Sequence, residues 1–149
     1  MQQLVYAIQF KSSATPHEGT PNVMNVKGEA ASASITTVVH DQGLTGGFDP
    51  AAVVPVSFES EVKMLESNTF TESGTITFGD KGNRLLFKSV GTGWMAPGPQ
   101  DGVSQGAISW VIEGGEGQFA GAKGVITSNF TIGSDGEVSD YQLGVLYLA

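Results

Sequence analysis

The stretch "GGEGQFAGAKG", Gly114 to Gly124, decides how the rest of the chain is read. Its Gly115-x-Gly117-x-x-Ala120 spacing fits the loose dinucleotide fingerprint. A dinucleotide loop, however, must leave a strand and open a helix whose first amides face the pyrophosphate. Here Gly124 leads into "VITSNFTI", a β-branched run with a poor helical pattern. The acidic residue expected about twenty positions on would be Glu137 or Asp140, and neither has a strand–helix–strand frame around it. No Gly-Lys-Ser/Thr triplet exists for a nucleoside-triphosphate loop. The stretch is therefore a corner between strands. Gly114, Gly115 and Gly117 permit a bend with positive φ, and Phe119 is placed to plug the end of a barrel.

Strands flank this corner on both sides. "SQGAISWVIEG" precedes it, "GVITSNFTI" follows it, and "GSDGE" turns into the last run, "VSDYQLGVLYLA". Upstream, "TFTESGTITF" and "NRLLFKSVGTGWM" flank "GDKGN", a glycine-containing hairpin turn. "VPVSFESEVKM" alternates, with Val54, Val56, Phe58 and Val62 opposite Ser57, Glu59, Glu61 and Lys63. A helix competes for that segment because Phe58, Val62 and Leu65 also fall at helical spacing. Nearer the start, "QLVYAIQF" sets Leu4, Tyr6, Ile8 and Phe10 against Val5, Ala7 and Gln9, and "ASASITTVV" reads as another strand. "SSATPHEGTPN" and "HDQGLTGGFDPAA" read as loops.

The 21 glycines in 149 residues are roughly twice the usual share of ~7%, and they punctuate β-rich runs rather than forming one tract. No sustained amphipathic helix is visible in the C-terminal half. Seven or eight antiparallel strands without a covering helix must close on themselves or pair as a sandwich to dispose of their edges. The expected fold is all-β: one closed antiparallel β-barrel of about eight strands, filling residues 1–149 as a single domain. A domain of this size buries roughly 70% of its unfolded surface, enough for its own core.

Composition narrows the function. With no cysteine there is neither a disulfide framework nor a thiolate nucleophile or metal ligand. The formal net charge of −8 repels phosphate backbones and anionic bilayers, so nucleic acid and membranes are not expected partners. The opening "MQQLVYAIQF" lacks a basic, long apolar leader, and no run approaches the ~20 apolar residues of a membrane helix. A cytoplasmic protein is the expectation.

Two segments also carry a resemblance. "IEGGEGQFAGAKGVI", with Phe119 framed by glycines, resembles the corresponding hairpin of allene oxide cyclase-like and dirigent-like barrels. "GTITFGDKGNRLLFKSVG", with Phe78, Gly79, Asp80 and Gly82, is similar to the strand–"FGDxG"–strand element of the cyclases. Together they cover roughly the last half of the chain. The resemblance implies an eight-stranded barrel, often trimeric, whose apolar cavity binds small hydrophobic molecules and in several members steers a cyclisation or isomerisation. The cyclases' first-strand carboxylate and asparagine are not matched, since Ala7 and Gln9 stand near those places. The container, rather than the allene oxide cyclase reaction, is what the resemblance carries over.

Polar residues within strands are the candidates for chemistry. Glu113 shares a face with Ala107, Ser109 and Val111. If that face is the lumen, Glu113 is a carboxylate in apolar surroundings, suited to proton transfer; an exposed rim position beside Gly114 is the competing reading. Asp140, before Tyr141 on the last strand, is the weaker candidate. Gln9, Glu113 and Tyr141 are the expected polar participants. Tyr6, Trp94 and Trp110 are expected as cavity walls, with Trp94 in its Gly/Pro-rich loop placed to lid a mouth or meet a neighbouring subunit. Ser109 and Asn129 would orient a ligand if they point inward, as would Ser89 and Ser128. His17 and His40 are too few for a histidine metal site, and Asp135 and Glu137 too few for calcium, so no metal or cofactor is expected. No Gly-x-Ser-x-Gly elbow marks a serine hydrolase.

The expected function is a barrel binding a small hydrophobic molecule, acting as a cofactor-independent isomerase, cyclase or lyase in which the cavity selects a reactive conformer. A non-catalytic carrier or sensor, and a structural barrel with a filled lumen, stay open as alternatives. A homo-oligomer, trimer or dimer, is the expected assembly.

Overall fold

The computed structural model describes residues 1–49 and 54–149. Its strands are β1 (Gln2–Pro16), β2 (Val23–Ser32), β3 (Ile35–His40), β4 (Gly43–Phe48), β5 (Val56–Met64), β6 (Thr69–Phe78), β7 (Asn83–Ser89), β8 (Gly93–Pro97), β9 (Ser104–Glu116), β10 (Lys123–Ile132) and β11 (Glu137–Leu148). Eight of them, β1, β2, β5, β6, β7, β9, β10 and β11, each pair antiparallel with the next, and β11 pairs back onto β1. The ring is closed, so every barrel strand has two neighbours. The expected architecture of one eight-stranded antiparallel barrel holds.

Closure depends on stagger and on two bulges. β1 pairs with β11 from Gln2 to Ser13 but with β2 only from Gln9 to Pro16, and that offset is the shear a barrel requires. The β1–β2 register slips between Gln9 and Phe10, leaving Ala31 as the extra residue opposite them. The β7–β9 register slips between Leu86 and Phe87, leaving Glu113 extra on β9. Bulges sharpen strand bend and twist, which is what a small cylinder needs.

Several segments differ from the sequence reading. The first loop shortens because β1 runs on to Pro16, and β2 starts at Val23, eight residues before the expected strand "ASASITTVV". "ASASITTVV" divides: Ala31 and Ser32 end β2, whereas Ile35 opens β3. The loop from His40 contains β4, which pairs only with β3 as a separate two-stranded sheet; residues 50–52 of that loop lie outside the described residues. The segment open to a helix is strand β5, settled by its ladders to β2 and β6.

The apolar faces meet inside. Phe10, Ile76, Leu85, Ile126 and Leu146 are fully buried. Phe58 anchors an aromatic layer across the barrel, 5.6 Å from both Phe10 and Phe87 and 5.8 Å from Trp110, with Phe87 and Trp110 at 4.3 Å. One end is filled: Phe119, buried in the turn Gly117–Phe119, lies 5.1 Å from Phe78, which packs edge-on against Tyr6. The glycine-rich stretch is thus a plugged corner as expected. Gly114 and Gly117 take positive φ, but Gly115 does not; it is glycine because a side chain there would collide with Phe119 and the Arg84 carbonyl.

One residue of register separates core from solvent. Phe87 is 2% exposed, whereas neighbouring Leu86 is 39% exposed on the outer face. Phe87→Ala is expected to lower the unfolding free energy by roughly 3–5 kcal/mol, and Leu86→Ala by about 0.5 kcal/mol or less, in urea titrations. Equal losses would contradict this assignment of faces.

Candidate functional site

Beyond the aromatic layer, the barrel half opposite Phe119 is hollow. A partly open cavity of about 230 Å³ lies where β1, β5 and β10 end and β2, β6 and β11 begin. Its walls are mainly hydrocarbon, from Ala14, Val26, Val62, Met64 and Phe130 among others, over a floor that includes Phe58 and Trp110. Two carboxyl groups break that apolar lining, Glu72 on β6 and Asp140 on β11.

Alternation explains why the acids point inward. On β6, Phe70, Glu72 and Ile76 share the inner face, and on β11 so do Asp140, Gln142 and Leu146. Each acid is met by a hydroxyl. Ser60 Oγ donates to Glu72 Oε1 at 2.6 Å. Ser128 Oγ donates to Asp140 Oδ1 at 2.5 Å, and Gln142 Nε2 donates to Asp140 Oδ2 at 2.7 Å. Gln142 in turn accepts from the Tyr6 hydroxyl at 3.4 Å, a long link from the filled end to the cavity.

Burial dominates the electrostatics. Loss of water pushes Glu72 up to about 8, the Ser60 hydrogen bond opposes that shift, and the nearby Asp140 charge adds to it. Burial also raises Asp140, but only to about 6, because Gln142 and Ser128 both hold the charged form. Tyr6 is pushed well above the ordinary phenol range, first by burial and then by Asp140. Near neutral pH the proton therefore sits on Glu72 while Asp140 is ionised. An acid and a base stand in one apolar pocket, the arrangement that general acid–base chemistry uses.

The sequence-predicted residues are divided by face. Trp110 is in the cavity wall, and Tyr6 lies in the lumen below it, reaching Asp140 through Gln142. Glu113 is outside: the bulge turns it toward solvent, where it pairs with Lys88 at 2.6 Å. Ser109 and Asn129 are exposed on the outer face, one residue from the inward Trp110 and Ser128. Trp94 is 50% exposed, whereas its neighbour Met95 lines the cavity. Gln9 and Tyr141 stand opposite each other on the outer face of the β1–β11 ladder, and the Phe48 ring packs against Tyr141 at 5.8 Å. Glu72 and Ser60 were not singled out in the sequence. The signal was present in "TFTESGTITF", where Glu72 alternates into register with Phe70, Ile76 and Phe78.

Among the described residues, no group of three or more His, Asp or Glu side chains is arranged to hold a metal ion. No helix among them is long and apolar enough to cross a membrane, which says nothing about strands.

The raised carboxyls make stability depend on pH. A carboxyl that titrates near 8 when folded and near 4.5 when unfolded binds more protons in the folded state across that interval. Its contribution is complete below 4.5 and is lost as pH rises toward 8. Wild-type Tm is thus expected to fall from pH 5 to 8, with Asp140 contributing up to about 6. Glu72→Gln, which keeps an acceptor for Ser60, should flatten the curve and be more stable at pH 8 by on the order of several kcal/mol. Parallel curves for the two proteins would contradict the burial of a titrating Glu72. No family model matches the chain, and no curated protein or solved structure matches it significantly, so the chemistry of this site is read from its own residues.

Proposed function

We propose that this barrel takes a small hydrophobic molecule into its open half and moves a proton on it, as a cofactor-independent isomerase, cyclase or lyase. The observation that carries the reading is the pair of buried carboxyls, Glu72 and Asp140, in the wall of an otherwise apolar cavity. Burying ionisable groups is costly, and carboxyls shifted by burial inside a cleft mark a candidate site of proton transfer. A cavity of 150 Å³ holds benzene, so about 230 Å³ suits a ligand of roughly ten non-hydrogen atoms, bicyclic or of similar bulk. The apolar wall selects a folded conformer of that ligand, and the acid and base handle the proton.

The resemblance to allene oxide cyclase-like and dirigent-like barrels belongs to the same proposal. Eight-stranded closure and the Phe119-plugged corner support it at the level of the container. The proton-handling groups proposed here lie on β6 and β11 rather than on the first strand. The outer wall carries Lys11, Lys27, Glu59, Arg84, Lys88 and Glu113 in ion pairs, a polarity that supports water rather than lipid outside. Val5, Val125 and Leu143, exposed on neighbouring strands, support self-association into a homo-oligomer.

A carrier without chemistry is the second reading, favoured by the fact that each carboxyl already has a hydrogen-bonding partner. Both readings need an occupied cavity. The neutral fluorophore 2-naphthol is expected to bind the wild-type protein saturably, and Ala14→Phe, which fills the cavity from β1, should weaken it at least tenfold without loss of fold by circular dichroism. Absence of saturable binding to the wild type would leave the structural-barrel alternative standing.

A further inference from the structure

Among the described residues, one buried polar atom of the cavity wall has no partner. Trp110 is 1% exposed, lines the cavity, and its indole N–H makes no hydrogen bond. An orphaned buried donor is costly, and native proteins keep few of them. The indole lies near enough to the Glu72 carboxyl to favour its charged form, without making a hydrogen bond of ordinary geometry. The ladder explains this proximity. The Glu72 amide donates to Ser89 Oγ at 3.1 Å, and Ser89 stands opposite Trp110 between β7 and β9. The carboxyl and the indole come from one row crossing β6, β7 and β9.

The ligand has to suit this set of groups. A plain hydrocarbon leaves the indole unpartnered. An anion meets the charge of Asp140. An ammonium group pairs with Asp140 but offers nothing to the two donors. A carbonyl oxygen satisfies all three conditions, being uncharged, compatible with apolar walls and able to accept two hydrogen bonds.

Building on the proton-transfer reading above, we infer that the substrate is a neutral, enolisable ketone or enone of roughly ten non-hydrogen atoms. Its carbonyl oxygen accepts hydrogen bonds from Trp110 Nε1 and the Glu72 carboxylic acid, and the Asp140 carboxylate is the base. Asp140 removes a proton from the carbon next to the carbonyl. The C–H electron pair becomes the new C=C bond, and the carbonyl π pair moves onto oxygen, where the two donors hold the enolate. Asp140, now protonated, returns the proton. Returned to the same carbon after the Asp140 carboxyl has exchanged its proton with water at the open end of the cavity, it gives isotope exchange; returned to the γ-carbon of a dienolate, it turns a β,γ-enone into its α,β-isomer. No oxidant, reductant or second substrate is consumed.

The experiment pairs 2-tetralone, an enolisable bicyclic ketone, with its hydrocarbon analogue tetralin. Binding of both is measured by calorimetry to the wild type and to Trp110→Phe, and the ratio of affinities cancels the purely hydrophobic difference. The preference for the ketone is expected to fall about tenfold in Trp110→Phe, as loss of one hydrogen bond predicts. An unchanged ratio overturns carbonyl recognition, while tetralin binding upholds the container. Failure of both compounds to bind overturns the container itself. In the wild-type protein, the Trp110 indole ¹H resonance should move downfield with 2-tetralone and not with tetralin, a result that needs no variant. Deuterium uptake at C1 of 2-tetralone in D₂O should exceed the buffer rate and return to it in Asp140→Asn. Uptake no faster than buffer, or undiminished in Asp140→Asn, overturns the assignment of the base.

Discussion

Two carboxyl groups held inside a cylinder of hydrocarbon constrain everything else in this molecule. Neither Glu72 nor Asp140 can be ionised there without losing most of its hydration, and both cannot be ionised together without repulsion. The protein answers with unequal support. Asp140 receives two donors and holds a charge; Glu72 receives one and keeps its proton. Burial raises both groups; the two donors on Asp140, and the Asp140 charge beside Glu72, set Glu72 above Asp140.

That arrangement needs a rigid and dry frame, and the two halves of the lumen divide the work. The end closed by Phe119, Phe78 and Tyr6 is packed solid and carries residues such as Leu85, Ile126 and Leu146 with no exposed surface. Fully burying such side chains stabilises the fold by about 1.5–3 kcal/mol each. The layer of Phe10, Phe58, Phe87 and Trp110 is shared between the halves, closing the filled end and supplying a floor for the open one. Stability gathered at one end offsets the cost of buried polar groups at the other, a common division between core and site. Gly144 shows how tightly the parts are fitted. Tyr6 lies over it in the β1–β11 ladder, where any side chain would strike the ring that reaches Gln142 and, through it, Asp140.

The barrel was legible because closure is a consequence of composition. β-branched runs broken by glycine, with no helix to cover an edge, leave few architectures available, and the Phe119 corner could be read from its neighbours. The site was harder because it depends on parity. Ser109 and Asn129 each miss the lumen by one residue, and the inward residues beside them are Trp110 and Ser128. The face of Ala107, Ser109 and Val111 looks apolar because its residues are small, which left Glu113 open between lumen and rim, whereas Gly106, Ile108, Trp110 and Ile112 form the buried face. The bulge at Glu113 has no local signature beyond the glycine that follows it. Strand β2 has little strand signal of its own, because "VMNVKGEAAS" carries two charges, a glycine and only two valines, and its place comes from pairing with β1 and β5 rather than from propensity. Glu72 was readable from alternation alone; it is the polar residue in a run of Phe, Ile and Phe.

Carbon-detected NMR of the side-chain carboxyls tests the central claim most directly, because it follows Glu72 and Asp140 individually as pH changes. The account predicts that Glu72 remains protonated at pH 7 with a midpoint near 8, and that Asp140 loses its proton first, near 6. Titration of both groups around 4, like carboxyls in open water, would contradict it.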